Sequence, residues 1–137
     1  MMNPLFHVIF QMTRMLNKEV NQALKKHELF ASQWTVLLCV YQQGEMTLTQ
    51  IWKYLNVEAP TITRTVNRLE ELGWLTTHEG KDRREKIVRL SDEAIAKFPE
   101  VESSIIQFEN EFLTGLTVEE QVQLMTLLRK MDKEGLM

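Results

Sequence analysis

A mainly α-helical fold carrying one small β-hairpin is predicted by three features of this 137-residue chain. Apolar residues recur at steps of three and four over most of its length, the spacing that lays a stripe along one face of a helix. Strand-type residues cluster only in the stretch 74–90, as two short runs around a charged loop. Two capping boxes, Thr47 with Gln50 and Thr117 with Glu120, mark where helices begin. A chain of this length forms one domain with a single sizeable core.

The first predicted helix spans residues 4–26. Leu5, Val8, Met12, Met15 or Leu16, Val20 and Ala23 or Leu24 form its apolar stripe, and Arg14, Lys18 and Lys25 lie outside. One other long helical region cannot cover all of this Met-rich stripe, so part of it is expected to meet a second subunit. A second helix is expected from Ser32, as N-cap, to Gln43, with Trp34, Leu37, Leu38 and Tyr41 on its buried face and Gly44 ending it. Cys39 lies beside that face and reads as a small hydrophobe, since no neighbouring cation in sequence would activate its thiol.

A short helix follows from Thr47 to Leu55, burying Leu48, Ile51 and Leu55. Asn56 suits a left-handed turn, and Val57 should plug the angle to the next helix. Glu58 is expected to cap that helix, residues 58–72, with Pro60 in the first turn, where a missing N–H costs nothing. At ~100° per residue, Ile62, Val66 and Leu69 fall on one face, to be buried. Opposite lie Pro60, Arg64, Asn67 and Glu71, flanked by Thr61, Thr63 and Arg68. A helix ending at Gly73 and two strands, from Trp74 and at Ile87–Leu90, complete a winged helix-turn-helix. Arg can contact guanine with two hydrogen bonds, Asn can read adenine and the Thr methyl can touch thymine, so the outward face is suited to a DNA major groove.

The loop between the strands places Lys81, Arg83, Arg84 and Lys86 within six residues. Cations on a hairpin tip can enter a narrow minor groove, where the negative potential is enhanced. Asp82 is expected to orient a neighbouring Arg by a charge-assisted hydrogen bond. The net charge of −3 does not oppose this reading, because residues 61–90 carry +2 and residues 91–137 carry −6. Phosphate attraction follows the local patch.

From Ser91 the chain reads as helical to its end. Ser91, Asp92 and Glu93 cap and charge the first turn, and Phe98, Val101, Ile105, Phe108 and Phe112 form a heptad-like stripe. Pro99 should kink or divide this helix, and Gly115 should break it. The last helix, opened by Thr117, is expected to bury Val118, Val122, Met125, Leu128 and Met131.

His7, His27 and His78 are scattered, and no nucleophile–base pair or glycine-rich phosphate loop is present, so an enzyme is not indicated. No metal-binding spacing joins them to Glu19, Glu28 or Glu102, and no cofactor is implied. No run reaches the ~18 apolar residues of a membrane span. The apolar N-terminal stretch lacks both the leading charge and the cleavage site of a signal peptide. A single cysteine fits a reducing cytoplasm. A winged helix used for protein docking, without specific DNA binding, is the alternative from a different class.

The order of elements resembles the MarR family of bacterial transcription regulators, over nearly the whole chain. The resemblance is carried by Leu48-Thr49-Gln50, Pro60-Thr61-Ile62-Thr63-Arg64, Leu69-Glu70-Glu71-Leu72-Gly73, and Asp82-Arg83-Arg84 followed by Val88-Arg89-Leu90-Ser91. It implies one MarR-like domain over 1–137, with a winged helix-turn-helix lobe at 31–90 and a helical dimerisation lobe from 1–30 and 91–137. It further implies a cytoplasmic homodimer on a pseudo-palindromic operator, acting as a repressor released by a small lipophilic or phenolic effector. DNA contacts would come from Thr47, Pro60, Thr61, Thr63, Arg64, Asn67, Arg68, Lys81, Asp82, Arg83, Arg84 and Lys86. An effector pocket is expected where the first, second and fifth helices meet the winged lobe, with Met12, Met15, Trp34, Leu38 and Phe108 in it. Two positions depart from the family pattern. Trp52 stands where a small Ala is usual, so that helix pair must splay or Trp52 must swing outward, and Ala94 replaces a common Gly. The reactive Cys of the family's peroxide-sensing branch lies in the first helix, which here has none.

Overall fold

The computed structural model describes residues 1–82 and 84–135. Six α-helices and a three-stranded antiparallel sheet follow in the order α1 (Pro4–Leu24), α2 (Ala31–Gln43), β1 (Met46–Thr47), α3 (Leu48–Leu55), α4 (Ala59–Glu71), β2 (Leu75–Glu79), β3 (Lys86–Leu90), α5 (Asp92–Phe112) and α6 (Val118–Met131). A 3-10 turn, Lys25–His27, extends α1. The sheet order is β1-β3-β2. The hairpin expected at 74–90 therefore gains a third strand, with Met46 opposite Val88 and Thr47 opposite Ile87. Trp74 lies just ahead of β2, its N–H donated to Leu69 O at the end of α4 (2.9 Å).

Helix α2 runs through the centre, against α1, α3, α4 and β3. That position explains a correction to its buried face. Val36 and Val40 are fully buried with Trp34 and Leu37, Leu38 is half-buried, and Tyr41 stays 45% exposed while stacking flat on Phe98 (centroids 3.8 Å apart). The start of α2 is also corrected. The N-cap position is Phe30, not Ser32, because the orphan donors are met from elsewhere. Gln33 Oε1 accepts from Phe30 N (3.0 Å), and Asn21 Oδ1, reaching across from α1, accepts from Ala31 N (2.6 Å). Gly44 ends the helix at φ +85°, a conformation open to glycine at little cost.

The helix-turn-helix is organised as its sequence indicates. Thr47 and Gln50 form both bonds of the capping box (3.1 and 2.9 Å), and Asn56 takes the left-handed turn at φ 55°, ψ 47°. Ile51 is fully buried between half-buried Leu48 and Leu55. These three pack into the core, and Val57 remains at the surface, 36% exposed, instead of plugging the angle between α3 and α4. Trp52 is half-buried against the core, with Lys53 Nζ over its ring (5.6 Å), so the bulk at this position is packed. Glu58 occupies the N-cap position of α4, but its carboxylate makes no capping bond. Its backbone carbonyl accepts from Thr61 and Ile62 N (3.1 and 3.2 Å).

Ser91 caps α5 through its Oγ, which accepts from Ala94 N (3.0 Å); Ala94 is buried at this start. Pro99 does not divide α5. It is exposed, and the carbonyl that loses its partner is that of Ile95 one turn earlier, a residue that is itself exposed, so water can meet it. Phe98, Val101 and Ile105 are buried, and Phe108 and Phe112 half-buried, their rings 5.5 Å apart. The helix stops at Phe112, three residues before Gly115. The capping box of Thr117 and Glu120 opens α6 (3.1 and 2.9 Å). The expected burial on α6 is not met within one chain. Val118, Val122, Met125, Leu128 and Met131 are all exposed, because no other element among the described residues covers their face.

Candidate nucleic-acid interface

Helix α4 sorts its residues by the angle at which each leaves the axis. Ile62, Val66 and Leu69 are buried, anchoring the helix on α2 and α3. Pro60, Thr63, Arg64, Asn67, Arg68 and Glu71 are exposed, and Thr61 is half-buried. Local hydrogen bonds hold part of this face in place. Arg64 Nη2 donates to Thr61 Oγ1 (3.3 Å), Thr63 Oγ1 to Ala59 O (3.1 Å) and Thr65 Oγ1 to Thr61 O (2.9 Å). Arg68 pairs with Glu71 one turn on (3.0 Å), which draws its guanidinium towards the C-terminal end of the helix. Thr47 sits one helix away, half-buried, its Oγ1 accepting from Gln50 N.

The wing is tied to α4. The hydroxyl of Thr77, on β2, donates to the Glu70 carboxylate. This link joins residues seven apart across a helix end and a strand, where no local rule would reveal it. The hairpin pairs Leu75 with Leu90 at its base and Glu79 with Lys86 at its tip. Beyond that, Gly80 N donates to Glu85 O and Glu85 N to Asp82 O, both at 2.9 Å. Among the described residues, Asp82 meets a neighbouring Arg through that residue's backbone. Its Oδ1 accepts from the backbone N–H of Arg84 (3.1 Å), so the carboxylate shapes the turn. Among the described residues it makes no ion pair with an Arg side chain. The aspartate thus fixes the backbone from which Arg84 projects. Lys81, Arg84 and Lys86 are exposed; Arg83 lies outside the described residues. At the base, exposed Arg89 faces Glu45 at 3.8 Å, a cation on the wing that the loop pattern did not single out.

The five residues expected to form an effector pocket differ in their surroundings. Met12 and Met15 are exposed on α1. Trp34 is buried against Phe98 (centroids 5.2 Å), and Leu38 packs on the core. Phe108 lines a groove of about 580 Å³ between α1 and α5 that also touches Glu19, Lys25, Lys26, Gln107 and Glu111. Beside it, His27 Nε2 lies 2.8 Å from Ser104 Oγ. Burial of His27, aided by the charge of Lys26 and opposed by Glu100, lowers its pKa. Cys39 is buried, and burial pushes its thiol up to about 11, so it stays protonated at neutral pH and is a poor nucleophile. Among the described residues no three His, Cys, Asp or Glu side chains gather in metal-binding proximity, and no helix is long and apolar enough to cross a membrane.

Comparison with known proteins bears directly on this geometry. The sequence profile of the MarR family matches residues 29–86. An uncharacterized HTH-type transcriptional regulator of Bacillus subtilis, YwoH, is 44% identical over 125 residues, covering 91% of each chain. A mutant of MarR from E. coli complexed with operator DNA is 25% identical, with a TM-score of 0.88 over 93% of each chain. Wild-type MarR from E. coli in its apo form is also 25% identical and gives 0.77, over 96% of this chain and 98% of that one.

Proposed function

This chain belongs to the MarR family and is a transcriptional regulator rather than an enzyme, and from that premise we propose that it acts as a homodimeric repressor on a pseudo-palindromic DNA operator. The observation that carries the reading is the pairing of two surfaces. The exposed face of α4 bears Thr63, Arg64 and Asn67, and the wing, bonded to the flank of α4 through Thr77 and Glu70, bears Lys81, Arg84 and Lys86. A groove-reading helix beside a cationic hairpin suits a major groove and its flanking minor groove at once. The higher similarity to operator-bound MarR than to its apo form supports a conformation close to the one that meets DNA. Arg64 and Asn67 would read base edges, and Arg84 would enter the minor groove. Pro60, Thr61, Arg68 and Thr47 would border the contact.

The second copy would be held by the exposed apolar stripes of α1 and α6. A small lipophilic or phenolic effector would then act by changing the separation of the two winged segments, in a cytoplasmic protein. The groove bordered by Phe108 gives such a ligand more room than the packed surroundings of Trp34 and Leu38.

Selection of bound duplexes from a random pool tests the proposal. It should return two related half-sites about one helical turn apart. Arg64→Ala should then cost ~1–3 kcal/mol of operator affinity and relax base preference. Arg84→Ala should weaken binding, and wild-type affinity should fall steeply with salt as Lys and Arg displace condensed counterions. Duplex binding that ignores both substitutions would reject these roles. A failure to enrich any sequence would leave a protein-docking winged helix as the better account.

A further inference from the structure

We propose that Ser91 is a positioning residue that sets the angle between the winged segment and α5, and thereby the half-site spacing that a dimer accepts. The inference rests on the dimeric DNA-binding reading above and concerns a residue with no place in the DNA contact. The hydroxyl of Ser91 has one proton, and it goes to Gly73 O, at 2.7 Å, across 18 positions of sequence. Its lone pairs remain, and one receives Ala94 N–H at 3.0 Å. The backbone N–H of Ser91 donates to Trp74 O (3.0 Å). One residue therefore starts α5 and grips the exit of α4.

The exit it grips is itself fixed. Gly73 follows α4 at φ +86°, its N–H donated to Glu70 O (3.0 Å), while Trp74 N donates to Leu69 O (2.9 Å). This double closure is the glycine-terminated helix end, in which the last carbonyls are satisfied by the residues that turn away. The covalent path from α4 to α5 runs out along β2 and back along β3. The Ser91–Gly73 bond bypasses that path, so the reading helix is connected to α5 directly as well as through the hairpin. Buried Leu90 and Ala94 on either side of Ser91 leave the junction little freedom to rotate.

Three substitutions separate the two jobs of the hydroxyl. Ser91→Thr keeps both. Ser91→Asp keeps an acceptor for Ala94 N–H, since Asp is a good N-cap, but as a carboxylate it has no proton for Gly73 O. Ser91→Ala loses both. Duplexes selected by the wild-type full chain would be rebuilt with the half-sites moved apart or together by single base pairs. Affinity for each, and thermal unfolding of each protein, would then be measured. Wild type and S91T should prefer one spacing. S91D should lose about tenfold in that preference, the scale of one lost hydrogen bond, while unfolding at a higher temperature than S91A because it keeps the cap. S91A should lose both preference and stability. Should S91D prove too unstable to purify, Ser91→Gly takes its place, since Gly is tolerated at an N-cap and has no hydroxyl for Gly73 O. Unchanged spacing preference in S91D and S91A overturns the positioning role while leaving the DNA-binding reading intact. A wild-type protein that selects no duplex overturns that reading, and the role built on it.

Discussion

Leu69 on α4 and Met125 on α6 hold equivalent places, each in the apolar stripe of a helix opened by a clear start signal. Leu69 is fully buried, whereas Met125 is 50% exposed. The same contrast holds for their surroundings. Between Leu29 and Leu90 the chain buries Leu37, Ile51, Val66, Leu75 and Val88 almost completely, through helices and strands that close on one another. In α1 only Leu24 is buried, and in α6 no residue is. Amphipathic spacing therefore states that a face needs covering without stating who covers it. In one region the covering element lies within the same chain. In the other the stripes of α1 and α6 form exposed apolar surface of the kind that marks an interaction site.

Substitution in the two regions should break stability in different ways. The largest effect on the fold of a single chain is expected for Leu69→Ala. It empties a fully buried site beside Ile62 and Val66, at a cost of ~2–5 kcal/mol. Denaturant unfolding should show this destabilisation at every protein concentration, because the packing around Leu69 is internal to one chain. A cost below about 1 kcal/mol would mean that the α4 anchor is looser than its burial indicates.

The next effect is expected from Val122→Asp combined with Met125→Asp. Neither side chain is covered in the single chain, so the fold of residues 31–90 should be unaffected. If a second copy covers them, each substitution removes ~1.5–3 kcal/mol of apolar burial per protomer and places a carboxylate in the interface. Sedimentation should then show a shift from dimer to monomer, and the unfolding temperature should lose its dependence on protein concentration. A variant that remains as dimeric as wild type would show that α6 is not the face used.

The same contrast explains which parts of the molecule are legible in sequence. Helix periodicity, capping boxes and a left-handed turn are readable, because their partners lie within a turn or two of the same helix. The boxes at Thr47 and Thr117, the left-handed Asn56 and the buried trio Ile62, Val66 and Leu69 all obey local geometry. Features that depend on a distant partner are not. Strand β1 is two residues long, too short for any periodicity, and exists because Ile87 and Val88 offer it an edge. Ser32 has the chemistry of a cap, yet Asn21, ten residues before Ala31, supplies the acceptor. The polar face of α4 and the basic wing are legible because they are patterns of residue type. The bond from Thr77 to Glu70 is not, because it depends on how the hairpin turns in space; the Asp82 bond is local, but residue type does not say whether an Asp in a loop meets a backbone or a side-chain donor.

His27 stands at the seam between the two regions, in the turn that ends α1 and against Ser104 of α5, and it should give the smallest effect. Its pKa is lowered from 6.5, chiefly by burial, then by Lys26, with Glu100 acting in the opposite direction. The folded state therefore favours the neutral ring more than the unfolded chain does. Above pH 6.5 both states are neutral and the full stability is present. As pH falls through 6.5 the unfolded chain takes up the proton first, so stability declines until the folded ring is also charged. His27→Gln can still bond to Ser104 but cannot titrate. Between pH 7.5 and pH 5 its unfolding midpoint should consequently fall less steeply than that of wild type. Carboxylates contribute to both curves, so the difference between the proteins isolates the imidazole. Parallel curves would mean that the seam opens to water around His27, and that the two regions are less firmly joined there than the 2.8 Å contact with Ser104 indicates.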